Sequence, residues 1–107
     1  MKVLIEGHRY GLENFEKLTE VGQQLQFIQK EPSKDNGTEP GLLDTINDGT
    51  TNEEVLEMLI DRMQYLQKKF PCRENAIVIT NLEESLMWLN KRTADRNKRG
   101  VEGKQIA

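Results

Sequence analysis

The 107-residue sequence has one cysteine, one histidine and no long apolar run. The lone Cys72 excludes a disulfide within the chain, and with His8 it cannot complete the four-ligand set of a structural zinc site. Because no window of about 18 uncharged apolar residues occurs, we expect no membrane-spanning helix and no membrane partner. Residues 1–6 lack a basic segment, so we also expect no signal peptide and a reducing cytosol.

The composition predicts one small domain. Hydrophobic residues make up 36% of the chain and charged residues 31%, which is polar but too apolar for a chain disordered throughout. A core of this size stabilises a fold only modestly, so we expect a homo-oligomer.

The net charge of -3 is unevenly distributed along the chain. From residue 91 to residue 107, six basic side chains stand against two acidic ones, so this basic tail carries +4 and the remainder carries -7. Two interpretations are open. Basic side chains near the end of a helix complement its dipole, or the tail binds an anionic partner.

The first 47 residues predict a small β portion. Residues 2–12 predict a β-hairpin, with Gly7 at the first central position of a type II′ turn. Polar and apolar residues alternate over residues 24–29, which predicts a third strand. Residues 31–41 are rich in loop-forming residues. Residues 42–46 predict a short edge strand.

Residues 48–107 predict a helical hairpin with helices at 51–70 and 73–99. Thr51 and Glu54 fit a capping box at the start of the first helix. Pro71 ends this helix, and Gly100 ends the second. Apolar residues recur at alternating spacings of three and four, which predicts a coiled-coil seam between the two helices. The seam residues are Leu56, Leu59, Met63, Leu66 and Phe70 in the first helix, and Ile79, Leu82, Leu86 and Leu89, extended by Thr93, in the second.

The predicted fold class is therefore α+β: a small N-terminal antiparallel β-sheet followed by a long antiparallel α-helical hairpin, one oligomeric domain overall. Apolar residues of the second helix that lie off the seam must be buried by other contacts, either with the sheet or with a second subunit. Met87 and Trp88 are the predicted interface residues, because Trp88 has polar helical neighbours and large rings on polar faces are typical of interfaces.

Catalytic chemistry is poorly represented in the sequence. It contains no nucleophile elbow, P-loop, dinucleotide-binding glycine motif or zinc-protease motif, so we expect neither an enzyme nor a cofactor nor a metal. Cys72 beside Arg73 is interpreted as structural or as a reactive thiol. Arg92 and Arg96 are four residues apart on one helix face, where they suit either phosphate oxygens or neighbouring side chains of the same helix.

Four segments resemble the phage anti-Thoeris family of Thoeris anti-defence 1 proteins, whose helical hairpin is shared with the phage anti-CBASS protein 2 family. The segments are residues 48–62, 70–76, 82–96 and 99–103. The resemblance implies a non-enzymatic sponge in the cytoplasm of the infected bacterial host. Such a protein binds cyclic ADP-ribose-type signals, including glycocyclic ADP-ribose, without cleaving them, and so keeps the Thoeris effector silent. It also implies a hexamer built from dimers and, in several members, a separate site for cyclic di- or trinucleotides.

The family's signal pocket combines an aromatic ring, an asparagine and two arginines. The matching positions are Tyr65, Asn75, Arg92 and Arg96, with Tyr65 at a position that phenylalanine can also take. The resemblance implies that Tyr65 stacks on adenine, that Asn75 pairs with an adenine edge or a hydroxyl, and that the arginines hold the pyrophosphate.

Helix geometry divides these four residues between two half-sites. Asn75 and Arg92 are 17 positions apart in one predicted helix, which is about 25 Å along the axis. The hairpin brings Tyr65 to within about 5 Å of Asn75 along the axis, at its turn end. We therefore expect an isologous dimer in which each pocket takes Tyr65 and Asn75 from one chain and the arginines from the other.

Two other functions remain open on the sequence alone. The basic tail is compatible with a small nucleic-acid-binding regulator, although the chain has no helix-turn-helix or RNA-binding motif, and we expect no DNA partner. A ligand-free structural hairpin is the second alternative.

Overall fold

A computed structural model of the protein describes residues 1–33 and 42–100. The chain divides into two compact units, Met1–Thr51 and Asn52–Ala107. The first unit contains the strands β1 (Lys2–Ile5), β2 (Arg9–Gly11), β3 (Gln24–Gln26), β4 (Gln29–Pro32) and β5 (Leu43–Asn47). The second contains the helices α1 (Asn52–Lys69) and α2 (Arg73–Arg99). The order of elements confirms the predicted α+β class.

Strands β1 and β2 form the predicted antiparallel hairpin, but the turn differs from the prediction. The amide of His8 donates to the carbonyl of Ile5 at 2.9 Å, so Glu6 and Gly7 are the central residues of the turn. Gly7 is thus the second central residue, with φ of 74°. A positive φ at this position is typical of a type II turn and not of type II′. Ile5 pairs with Arg9, which leaves a three-residue loop where a two-residue loop was predicted.

The predicted third strand at residues 24–29 is divided between two sheets. β3 pairs with β2, and the three-stranded sheet has the order β1-β2-β3. β4 begins at Gln29 and pairs with β5, the strand predicted at 42–46, in a separate two-stranded sheet. Between them, Phe27 packs edge-to-face on Tyr10 with 6.0 Å between ring centroids. The remaining part of the predicted loop, residues 34–41, lies outside the described residues.

The helical hairpin has the predicted bounds to within one residue at each helix end. The side chain of Cys72 caps α2 by accepting from the amide of Asn75. Gly100 ends α2 in the left-handed conformation, with φ of 71°, and its amide bonds to the carbonyls of Arg96 and Asn97. The last seven residues of the basic tail lie outside the described residues. Neither α1 nor α2 is long and apolar enough to cross a membrane.

The seam of α2 is confirmed, and that of α1 is confirmed in part, since Leu56, Met63 and Leu66 are half-buried. The predicted α2 residues from Ile79 to Thr93 are all half-buried. In α1, however, Leu59 is 39% exposed and Phe70 is 76% exposed. Phe70 lies beyond the last residue of α1, so it does not continue the helical register. The half-buried face of α1 instead consists of Glu53, Val55, Leu56, Ile60, Met63, Leu66 and Gln67.

Among the described residues, no hydrophobic side chain is fully buried within the single chain. The off-seam residues of α2 that the sequence assigned to another cover, Ile77, Val78, Met87 and Trp88, are all exposed. These off-seam residues of α2 therefore stay in contact with solvent when the chain is alone.

Candidate ligand-binding site

The C-terminal half of α2 carries an open cleft of about 310 Å³, here called the basic cleft. Its lining combines four basic side chains, one carboxylate and one indole ring. The residues are Trp88, Lys91, Arg92, Asp95, Arg96 and Arg99. Guanidinium groups bind phosphate oxygens bidentately, and an indole face stacks on planar groups. The cleft therefore suits an anionic ligand that also carries a ring.

Arg92 and Arg96, the two predicted arginines, both line this cleft. Their side chains differ in environment: Arg92 is exposed, whereas Arg96 is 4% exposed and is the most buried of the described residues. A ligand therefore reaches the side chain of Arg92 more easily than that of Arg96 in the single chain.

Trp88 and Lys91 form the wall beside the arginines. Trp88 is 56% exposed, and the Lys91 ammonium lies 6.0 Å from the centroid of its ring. The same ammonium lies 3.3 Å from Oδ2 of Asp95. This ion pair offsets the charges of Lys91 and Asp95 within the lining of the basic cleft. Met87, the other predicted interface residue, lines a separate depression of about 460 Å³ with Ile60, Glu83, Leu86 and Asn90.

Tyr65 lies on α1, toward the turn end of the hairpin, and is 54% exposed. The ammonium of Lys69, one helical turn further along, lies 4.8 Å from the centroid of the Tyr65 ring. Because this cation–π contact occupies one face of the ring, a planar ligand would stack on the opposite face.

Asn75 is half-buried in the first turn of α2, where its backbone amide donates to Sγ of Cys72 at 3.4 Å. Gln67 of α1 holds Cys72 through two bonds. Its side-chain amide donates to the Cys72 carbonyl at 3.0 Å, and its side-chain oxygen accepts from the Cys72 amide at 3.0 Å. Gln67 thus ties the end of α1 to the start of α2 and orients the turn that carries Asn75.

Replacing Gln67 should therefore loosen the turn. Gln67→Ala removes both bonds, and we expect it to lower the free energy of unfolding by about 1 kcal/mol, since the two bonds are exposed and each contributes little net. Urea unfolding followed by circular dichroism measures this change. The matched control is Gln64→Ala, an exposed glutamine on the same helix. Equal midpoints for the two variants would show that the Gln67 bonds do not stabilise the turn.

The structure brings the arginine pair together but not all four predicted residues. Asn75 and Arg92 lie on one continuous helix, and their 17-residue separation corresponds to about 25 Å along its axis. Neither Tyr65 nor Asn75 lines the basic cleft. One chain therefore presents two separate groups, Tyr65 and Asn75 toward the hairpin turn and the arginines toward the end of α2.

Sequence reasoning placed Arg99 and Asp95 in the basic tail but gave neither a role in the site, and it did not single out Gln67. For Arg99 and Asp95 a signal was present, because both are within one turn of Arg96 on α2. No local pattern marks Gln67, since its bonds to Cys72 depend on the path of the chain around the turn.

Comparison with known proteins supplies the family. The family described as "Acb2/Tad1, hairpin domain" matches residues 28–94, which include α1, the turn and most of α2. The curated protein "Thoeris anti-defense 1" of Bacillus phage SBSphiJ7 is 62% identical over 56 residues. This alignment covers 51% of the present chain and 39% of that relative, so the chain corresponds to less than half of the relative's length. With its helical hairpin and the match over residues 28–94, the chain belongs to the Acb2/Tad1 hairpin domain family.

Proposed function

We propose that this chain is a phage anti-defence protein that binds and sequesters a cyclic ADP-ribose-type signal, such as glycocyclic ADP-ribose, and thereby blocks Thoeris defence. The observation that carries the proposal is the basic cleft, where Arg92 and Arg96 lie together beside an exposed indole in a chain of the Acb2/Tad1 hairpin family. A pyrophosphate-linked cyclic nucleotide offers phosphate oxygens to the arginines of this cleft.

The proposed pocket needs two chains. Arg92 and Arg96 of one subunit hold the pyrophosphate through charge-assisted hydrogen bonds. Tyr65 of the other subunit stacks on adenine with the ring face that Lys69 leaves uncovered, and Asn75 pairs with an adenine edge or a ribose hydroxyl. The distance of about 25 Å between Asn75 and Arg92 within one helix supports this division, because a ligand as small as cyclic ADP-ribose cannot contact both residues of the same chain.

The exposed apolar surface supports assembly into a dimer and then a larger oligomer. Trp88 lies in the basic cleft and Met87 in the neighbouring depression, so a subunit contact at these residues would lie directly beside the arginines. Such a contact would remove water from the pocket and strengthen its electrostatic interactions.

Sequestration without cleavage is the proposed mode of action. The sequence supplies no recognisable pairing of nucleophile and general base. The chain would therefore act in stoichiometric amounts, removing one signal molecule for each pocket.

Calorimetric titration with cyclic ADP-ribose isomers, side by side with cyclic di- and trinucleotides, tests the proposal. We expect tight binding of a cyclic ADP-ribose isomer and recovery of the intact ligand, identified by mass spectrometry, after heat denaturation of the complex. Recovery of linear ADP-ribose would indicate an enzyme. Absence of binding, together with a DNA mobility shift that weakens steeply with salt, would favour the nucleic-acid-binding alternative.

A further inference from the structure

The turn between α1 and α2 consists of residues 70–72, and the side chain of Gln67 spans it. Nε2 of Gln67 donates to the carbonyl of Cys72, and Oε1 accepts from the Cys72 amide, both at 3.0 Å. A side-chain carboxamide has the same donor and acceptor as a peptide group. Because Gln67 binds both backbone groups of one residue, it restrains the orientation of Cys72 as well as its distance from α1.

Cys72 in turn determines how α2 begins. Its backbone is extended, with φ of -151° and ψ of 160°, and its Sγ accepts from the backbone amide of Asn75 at 3.4 Å. Its carbonyl accepts from the amide of Ala76 at 3.3 Å, which is the first helical bond of α2. Through these two bonds Cys72 fixes the position of Asn75 around the axis of α2.

Gln67 therefore links Asn75 to the helix that carries Tyr65. Tyr65 and Gln67 are two positions apart on α1, and Asn75 is the third residue of α2. In the proposed pocket, Tyr65 stacks on adenine while Asn75 pairs with an adenine edge or a hydroxyl. Hydrogen bonds weaken steeply when their angle departs from linear, so the placement of Asn75 relative to the ring has to match the ligand.

A purely stabilising role for Gln67 is the competing explanation. Its two bonds are exposed to solvent, however, so each contributes little net stability. Half-buried seam residues pack α1 on α2 away from the turn, and they hold the hairpin together without Gln67. What Gln67 adds is a local restraint on the turn, so its loss should affect the position of Asn75 more than the fold.

We infer that Gln67 is a positioning residue of the ligand pocket, which acts through Cys72 to hold Asn75 in the geometry that pairing with the ligand requires. The inference rests on the proposed function for the ligand and for the role of Asn75. A restrained Asn75 loses little conformational freedom when the ligand binds. Without Gln67, the turn has to be ordered during binding, which lowers the affinity.

Calorimetric titration with glycocyclic ADP-ribose compares the wild-type protein with Gln67→Ala, Gln67→Met and Gln64→Ala. Methionine is as long as glutamine but makes neither bond, so it separates the bonds from the bulk of the side chain. We expect both Gln67 variants to raise the dissociation constant about fivefold, which is typical of ordering one side chain on binding. Gln64 is an exposed glutamine on the same helix, and Gln64→Ala should change the constant less than about twofold.

A double-mutant cycle tests whether Gln67 acts through Asn75. Asn75→Ala removes the carboxamide that Gln67 positions, so adding Gln67→Met to it should change the dissociation constant less than about twofold. Arg92→Lys is the matched background, because Arg92 lies about 25 Å from Asn75 along α2 and does not depend on the turn. In that background Gln67→Met should keep its full effect of about fivefold.

The side-chain amide of Asn75 gives a second measurement that needs no ligand. In isotope-labelled free protein, the heteronuclear NOE of this amide reports motion on the picosecond to nanosecond timescale. Gln67→Met should lower this NOE, because the start of α2 loses its restraint, and Gln64→Ala should leave it unchanged. Circular dichroism should show the same helix content in every variant, which would establish that the change at Asn75 is local.

Two outcomes would overturn the inference. Wild-type affinity in both Gln67 variants would show that the bonds to Cys72 do not affect the pocket. An effect of Gln67→Met that persists unchanged in the Asn75→Ala background would show that Gln67 does not act through Asn75. If the wild-type protein binds no cyclic ADP-ribose isomer, the proposed function fails. The NOE then decides whether Gln67 positions Asn75, and an unchanged NOE in Gln67→Met would overturn that as well.

Discussion

Arg92→Glu and Tyr65→Ala proteins are each expected to lose ligand binding as homo-oligomers, and heterodimers of the two variants are expected to regain half of their pockets. Arg92→Glu places a carboxylate where the pyrophosphate should lie, and Tyr65→Ala removes the stacking ring. If each pocket takes Tyr65 from one chain and Arg92 from the other, one pocket of the heterodimer combines two native half-sites. The second pocket collects both lesions.

Two affinity tags, one on each variant, allow the heterodimer to be purified and its composition to be checked by mass spectrometry. Calorimetric titration then measures the number of ligands bound per dimer. We expect about half of the wild-type number, bound with wild-type affinity, because the intact pocket contains no substitution.

A second pair of variants provides the control. Arg92→Glu and Arg96→Glu fall in the same half-site, so every pocket of their heterodimer contains a lesion and no affinity should return. Recovery in this control would mean that rescue comes from subunit mixing itself. No recovery in the Arg92 and Tyr65 heterodimer would show that these two residues do not meet across a subunit interface.

Leu82→Ala is expected to lower the stability of the fold, whereas Trp88→Ala is expected to weaken subunit assembly. Leu82 is half-buried on the seam face of α2, so its truncation should lower the free energy of unfolding by about 2 kcal/mol, the lower end of the range for apolar truncations. Trp88 is exposed in the single chain, so Trp88→Ala should leave the helices formed. Loss of the indole ring from a subunit interface should raise the dissociation constant of the dimer about tenfold or more.

Analytical ultracentrifugation measures assembly, and circular dichroism at the same protein concentration measures helix content and unfolding. The concentration must be equal in all samples, because association contributes to apparent stability. Met58→Ala serves as the control. The exposed fraction of Met58, 57%, is similar to the 56% of Trp88, but Met58 lies on α1 and does not line the basic cleft. If Trp88→Ala and Met58→Ala assemble equally well, Trp88 is not an interface residue.

The wild-type chain is expected to be at least dimeric in the same measurements. A monomer at micromolar concentration would contradict both the interface at Trp88 and the two-chain pocket. Deep burial of Trp88 in the assembly would also limit access of large quenchers to its fluorescence, which gives an independent measurement of the same contact.

The sequence by itself determined the helices of this protein, because the signals that start and stop them are local. Pro71 follows the end of α1, and Gly100 adopts the left-handed conformation that ends α2. The alternation of apolar residues at spacings of three and four correctly predicted the half-buried face of α2. The same rule placed Phe70 in the seam incorrectly, because α1 ends at Lys69 and the periodicity no longer applies beyond it.

Sheet pairing and the burial of Arg96 were decided only by the tertiary structure. Residues 24–29 alternate as one strand, yet β3 pairs with β2 while Gln29 pairs with Asn47, a partner 18 positions away that no local pattern identifies. Helical spacing predicted that Arg92 and Arg96 share a face, and the same spacing extends to Trp88 and Arg99, but it did not predict that Arg96 is 4% exposed. Local spacing determines direction around a helix, whereas burial depends on groups brought close by the folded chain.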